Sequence, residues 1–81
     1  MNRHTVRLFA RYAELFGAEQ VEVMLPANAT VSELVTALRA LPGGAVLPER
    51  PFVAVNMSQA APGQQVALSD ELALLPPLAG G

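Results

Sequence analysis

The chain of 81 residues has no cysteine, no tryptophan and no lysine, and it has one histidine. Without cysteine there is no disulfide, no thiolate nucleophile and no zinc ribbon or iron–sulfur cluster. Without lysine there is no Schiff-base chemistry and no side-chain amine for self-conjugation. One imidazole leaves a His-based metal site without its second nitrogen ligand. His4 has no acidic or hydroxyl partner close in sequence and reads as a solvated or strand-end side chain. Positive charge is scarce as well: net charge is -2 and the pI is about 5.1. No basic patch is present, so nucleic acid is not an expected partner. No apolar run approaches the ~18 residues of a membrane span, and Arg7 and Arg11 interrupt the apolar stretch that a signal peptide would need. A cytoplasmic protein with no membrane partner is expected. Gly43-Gly44 is not followed by Gly-Lys-Ser/Thr, which excludes a phosphate-binding loop.

What is abundant is apolar surface, at 52% of residues. One domain of this size has a single core. Some apolar side chains must therefore lie outside it, and such area often marks a partner surface. Thr5 to Ala10 alternates, with Val6, Leu8 and Ala10 on one face and Thr5, Arg7 and Phe9 on the other, as in a strand. Tyr12, Leu15 and Phe16, followed by Gly17, suggest one or two helical turns with a glycine stop. Gln20 to Leu25 alternates again, with Val21, Val23 and Leu25 on one face, and is expected to pair with the first strand. Thr30 and Glu33 form a capping-box signature. It opens a helix of about 11 residues whose apolar stripe is Val31, Leu34, Val35, Leu38 and Leu41. Pro42-Gly43-Gly44 stops that helix. Ala45 to Pro51 reads as a loop and Phe52 to Asn56 as a third strand. Pro62-Gly63 is a turn signal. Val66 to Leu68 is a candidate short edge strand, and Leu72 to Leu75, with no polar face, a central one. Asp70-Glu71 is adjacent sequence at a turn or strand start rather than a carboxylate pair, since neighbouring strand residues face opposite sides. The order strand, strand, helix, strand, short strand, strand gives an α+β domain with one main helix on a mixed sheet, the order of the ubiquitin-like β-grasp fold. The domain is expected over residues 1–77, with a tail over 78–81.

The chemistry is expected in that tail, Pro76-Pro77-Leu78-Ala79-Gly80-Gly81. Two prolines force an extended, stiff exit and aim the residues after them. The two glycines remove side-chain bulk. Gly81 would then offer a carboxylate on a thin arm, with Gly80 giving clearance inside a narrow channel. A carboxylate is a poor electrophile, so it must first become a mixed anhydride, as with AMP, in another protein's active site. The bland alternative is a frayed terminus.

Four stretches resemble the small subunit of molybdopterin synthase, the sulfur carrier of molybdenum-cofactor biosynthesis. They are Val6–Gly17 (VRLFARYAELFG), Thr30–Leu41, Val53–Asn56 (VAVN) and Asp70–Gly81 (DELALLPPLAGG). The turn before the last strand lacks the family's usual glycine, and Leu74-Leu75 stands where an aromatic residue is common. The resemblance implies that an activating adenylyltransferase uses ATP to adenylate Gly81 and that a sulfur donor converts it to a thiocarboxylate. The large synthase subunit, in a two-plus-two assembly, then draws the tail into its own active site. There the sulfur passes to precursor Z, cyclic pyranopterin monophosphate. The carrier would bind no cofactor and supply no catalytic side chain. Other pathways on the same fold (thiamine, cysteine or tRNA thiolation) are the alternative. Thiamine-type carriers usually lack much of the Ala10–Gly17 region, which favours molybdopterin. A non-catalytic interaction module and a protein modifier are further alternatives.

Three apolar residues are candidate partner contacts. Phe9 lies on a polar face and is either a docking anchor or part of a second small core beneath a loop. Leu75 is either a rim anchor beside the tail or core. Leu78 lies in the tail itself. The arginines are scattered and read as solvated, though Arg11 or Arg39 could pair with an acidic partner.

Overall fold

The computed structural model describes residues 1–76. The tail residues Pro77, Leu78, Gly80 and Gly81, and with them the expected tail over 78–81, lie outside the described residues. The elements in chain order are β1 (Asn2–Leu8), α1 (Arg11–Phe16), β2 (Gln20–Leu25), α2 (Val31–Arg39), β3 (Phe52–Val55), β4 (Ser58–Gln59) and β5 (Leu72–Leu75). The five strands form one mixed sheet in the order β2-β1-β5-β3-β4. β1 pairs antiparallel with β2 and parallel with β5, and β3 pairs antiparallel with β5 and β4. This is the expected β-grasp architecture, with β5 in the centre. A parallel β1–β5 pair buried between neighbours suits an all-apolar LALL segment.

The alternation in the strands decides which side faces α2. His4, Val6 and Leu8 of β1, Val23 and Leu25 of β2, Val53 and Val55 of β3, and Leu72 and Leu74 of β5 are all buried. From the helix come Val31, Leu34, Val35 and Leu38, with Leu34 and Leu38 fully inaccessible and Leu41 only partly buried. Each such leucine contributes about 2–5 kcal/mol, measured as its truncation to alanine.

Helix α2 has the reciprocal capping box expected from Thr30 and Glu33. The Thr30 hydroxyl accepts from the Glu33 amide at 3.3 Å, and Glu33 Oε1 accepts from the Thr30 amide at 3.1 Å. It is 9 residues long rather than about 11. Ala40 and Leu41 donate instead to Ala37 and Leu38, the tighter 3-10 bonding that often closes a helix. The next two glycines admit a close approach of backbones. A β-carbon on Gly44 would lie 2.0 Å from the Leu38 carbonyl oxygen, and one on Gly43 2.3 Å from that of Leu15. The expected loop after them includes a 3-10 turn over Gly44–Val46.

Three further expectations change. The first strand is Asn2–Leu8 rather than Thr5–Ala10, because Ala10 adopts φ 52 and turns the chain into α1. His4 is therefore inside the strand on its inward face and is 5% exposed, not solvated. The short edge strand is Ser58–Gln59, not Val66–Leu68. Asn56 and Met57 both take left-handed φ, 51 and 69, the pattern of a two-residue hairpin turn, so β3 returns at once as β4. The Val66 segment makes its bonds elsewhere. Val66 donates to Ala29, and Gln65 bridges Thr30.

Candidate functional site

Strand direction gathers the site at one end of the sheet. β1 and β5 are parallel and finish together, and β3, antiparallel to β5, begins there. The chain leaves β5 through Pro76 at this end. In register, Leu75 lies opposite Phe52, and Leu74 lies opposite Leu8. The next position along β1 sets Phe9 beside Leu75. Phe9, Leu75 and Phe52 thus fall in one row across three neighbouring strands. Because their sequence neighbours Leu8, Leu74 and Val53 face the core, the two-residue period puts this row on the opposite, outer face.

The row is only partly covered. Phe9 is 38% exposed, and Leu75, Phe52 and Pro76 are half-buried. Phe9 is not in a second core, and Leu75 is not in the main one. The Arg7 guanidinium carbon lies 5.4 Å from the centroid of the Phe9 ring, a cation–π contact of about 0.5–1 kcal/mol at an exposed site. Arg7 also approaches Glu71 at 3.9 Å, with both side chains well exposed, so that ion pair adds little. The Phe9 carbonyl accepts from Tyr12 at 3.1 Å across Ala10. Ala10 at φ 52 and ψ -129 is in a region that a side chain disfavours, so the turn that presents Phe9 is strained.

At its other end β5 is held by a polar clamp. Asp70 accepts from the Ala67 amide at 2.7 Å and from the Asn56 side-chain amide at 2.9 Å. The Asn56 side-chain oxygen accepts from the Glu71 amide at 2.9 Å, and the Asn56 amide donates to the Glu71 carbonyl at 2.8 Å. The Ala67 amide, then the Asn56 side chain, hold the Asp70 carboxyl below its usual 3.8. This is the turn role expected for Asp70. Asn56 was legible only as the end of a strand, because its partners are 14 and 15 residues away. Phe52 was missed as a site residue. Its signal was available in the alternation of Phe52 and Ala54 against Val53 and Val55.

Comparison with known proteins decides the kinship. The ThiS family matches over residues 6–81. The chain belongs to the ThiS family. A search of curated proteins returns no match. Among solved structures, the chain is similar to small archaeal modifier protein 1 of Haloferax volcanii, at 31% identity and a TM-score of 0.82. That match covers 96% of this chain and 100% of the other. It is also similar to a chain of the complex of subunits 1 and 2 of the molybdopterin-converting factor from Helicobacter pylori 26695. There the identity is 23% and the TM-score 0.67, with 99% of this chain and 100% of the other covered. At that identity the likeness concerns the fold. The ThiS-family chain described here has the ubiquitin-like sulfur-carrier fold, and its central strand runs to the segment that carries the two glycines. Among the described residues, no helix is long and apolar enough to cross a membrane.

Proposed function

We propose that this protein carries sulfur on the carboxyl of Gly81 and delivers it in molybdopterin synthesis. The observation that best supports this reading is the apolar row Phe9, Leu75 and Phe52, which flanks the exit of the central strand at Pro76. A protein that received the tail would find an apolar landing beside it. The carboxylate oxygen attacks the α-phosphorus of ATP in an activating adenylyltransferase, giving an acyl adenylate and releasing pyrophosphate. A sulfide-level sulfur donor (a hydrosulfide equivalent) then attacks the acyl carbon, AMP departs with the C–O bond broken, and loss of the S–H proton leaves a thiocarboxylate. In the large synthase subunit that sulfur passes to cyclic pyranopterin monophosphate. Gly80 leaves room for the enzyme to close around the acyl carbon, Pro76 and Pro77 aim the tail, and Leu78 extends the apolar contact. The sequence contains no cysteine, consistent with sulfur borne on the main chain.

A second reading, attachment to other proteins, is favoured by the 31% identity to small archaeal modifier protein 1. The two separate by product. Intact mass after incubation with ATP, an activating enzyme and a sulfur donor should rise by the replacement of one oxygen by sulfur, mapped to the Gly81 peptide. Gly81→Ala should remain folded and gain nothing. Adducts on target lysines without a thiocarboxylate requirement would favour the modifier. No gain with an enzyme active on a control carrier would overturn the sulfur-carrier reading.

A further inference from the structure

A groove runs between α2 and the β3–β4 side of the sheet and reaches Phe52, the β3 member of the outer-face row. Val31, Val35 and Thr36 lie along one wall, and Pro51, Gln59 and Ala60 along the other. Proline fixes its own backbone angle, so the Pro51 wall is preformed. The lined stretch of α2 from Val31 to Arg39 is about 12 Å long, the span of three to four extended residues at about 3.3 Å each.

Arg39 closes one end. It is half-buried, not solvated, and donates to the Leu47 carbonyl at 2.6 Å and to that of Pro48. These partners are neutral. The ion pairs among the described residues are Arg3–Glu22 and Arg7–Glu71, so Arg39 has no carboxylate there. A guanidinium has five N–H donors in a planar fork, and the two carbonyls use one each of two nitrogens. The other charged groups lining the groove are Arg50 and Glu49. Two arginines and one glutamate leave one uncompensated positive charge, matched by one carboxylate. An arginine–carboxylate contact is among the stronger hydrogen bonds.

We infer that this groove binds an extended, acidic protein segment, apolar at the residues that meet Pro51, Ala60 and Ala61 and with one carboxylate directed to Arg39 and Arg50. It gives the chain a second contact with a partner, on the helix side of the sheet.

The test is an amide-resolved NMR titration of the full chain with acetyl-Val-Leu-Glu-Val-amide and with the same peptide carrying Gln for Glu. The Glu peptide should shift the amides of Thr36, Arg39, Gln59 and Ala60 and saturate, and the Gln peptide should bind about tenfold more weakly. Arg39→Gln and Arg50→Glu should each weaken the Glu peptide about tenfold. Thr36→Trp should block both peptides by filling the groove. If Arg39→Gln fails to fold, Arg50→Glu and Thr36→Trp decide. Equal binding of the two peptides, shifts confined to Phe9 and Leu75, or no shift at millimolar peptide would each overturn the proposal. None of these readouts uses the tail, so they do not bear on the sulfur-carrier reading.

Discussion

The two faces of one sheet are built from the same strands and end in opposite roles. Facing α2, Val6, Leu72 and Leu74 are almost wholly inaccessible. One residue along the chain, Leu75 is half-buried, beside Phe9 and Phe52. Hydrophobicity is the same in Leu74 and Leu75, so side-chain chemistry cannot assign their roles. The two-residue period of a strand does. The inner face contributes to stability, and the outer face leaves these side chains partly exposed.

The comparison breaks first at the leucine pair. Leu74→Ala should cost about 2–5 kcal/mol in denaturant unfolding, whereas Leu75→Ala should cost less than about 1.5 kcal/mol and instead weaken binding to the tail-accepting protein. Equal losses of stability would erase the distinction between the faces. Gly44→Ala tests how tightly α2 is tied to the inner face. Its methyl would meet the Leu38 carbonyl at 2.0 Å, and the repacking should cost about 1–3 kcal/mol by the same measurement. On the outer face, Ala10→Gly should relieve the turn that presents Phe9 and raise stability by about 1 kcal/mol. An unchanged or lower midpoint would mean that the turn is not strained.

The smallest effect concerns the clamp at the far end of β5. The folded-state pKa of Asp70 lies below its ordinary value, so its carboxylate stabilises the fold above the unfolded-state pKa. That contribution fades as pH falls from about 4 through the folded-state value. Unfolding midpoints of the wild type and Asp70→Asn should therefore differ at neutral pH and converge in acid. A constant difference across that range would remove the carboxylate from the account.

Much of this was legible in the chain because it is local. The Thr30–Glu33 box, the Val31–Leu38 stripe, the stop at Gly17 and the apolar LALL strand each depend on residues within a few positions of one another. His4 was misread because the strand's start, and so its alternation, is set by pairing with β2 as far as Leu25. β4 was missed because Asn56-Met57 lacks the glycine that usually announces such a turn. Arg39 was read as solvated because the carbonyls it meets are eight and nine residues further on.

By itself, then, the sequence determined the periodicities and the caps, since these depend on backbone sterics and neighbouring side chains. Only the tertiary structure decided that Phe9, Leu75 and Phe52 share a row, that Asn56 holds Asp70, and that Arg39 meets the Leu47 and Pro48 carbonyls with no ion pair among the described residues. Each of these joins residues distant in sequence, and the register of the sheet or the packing of α2, not local propensity, brings them together.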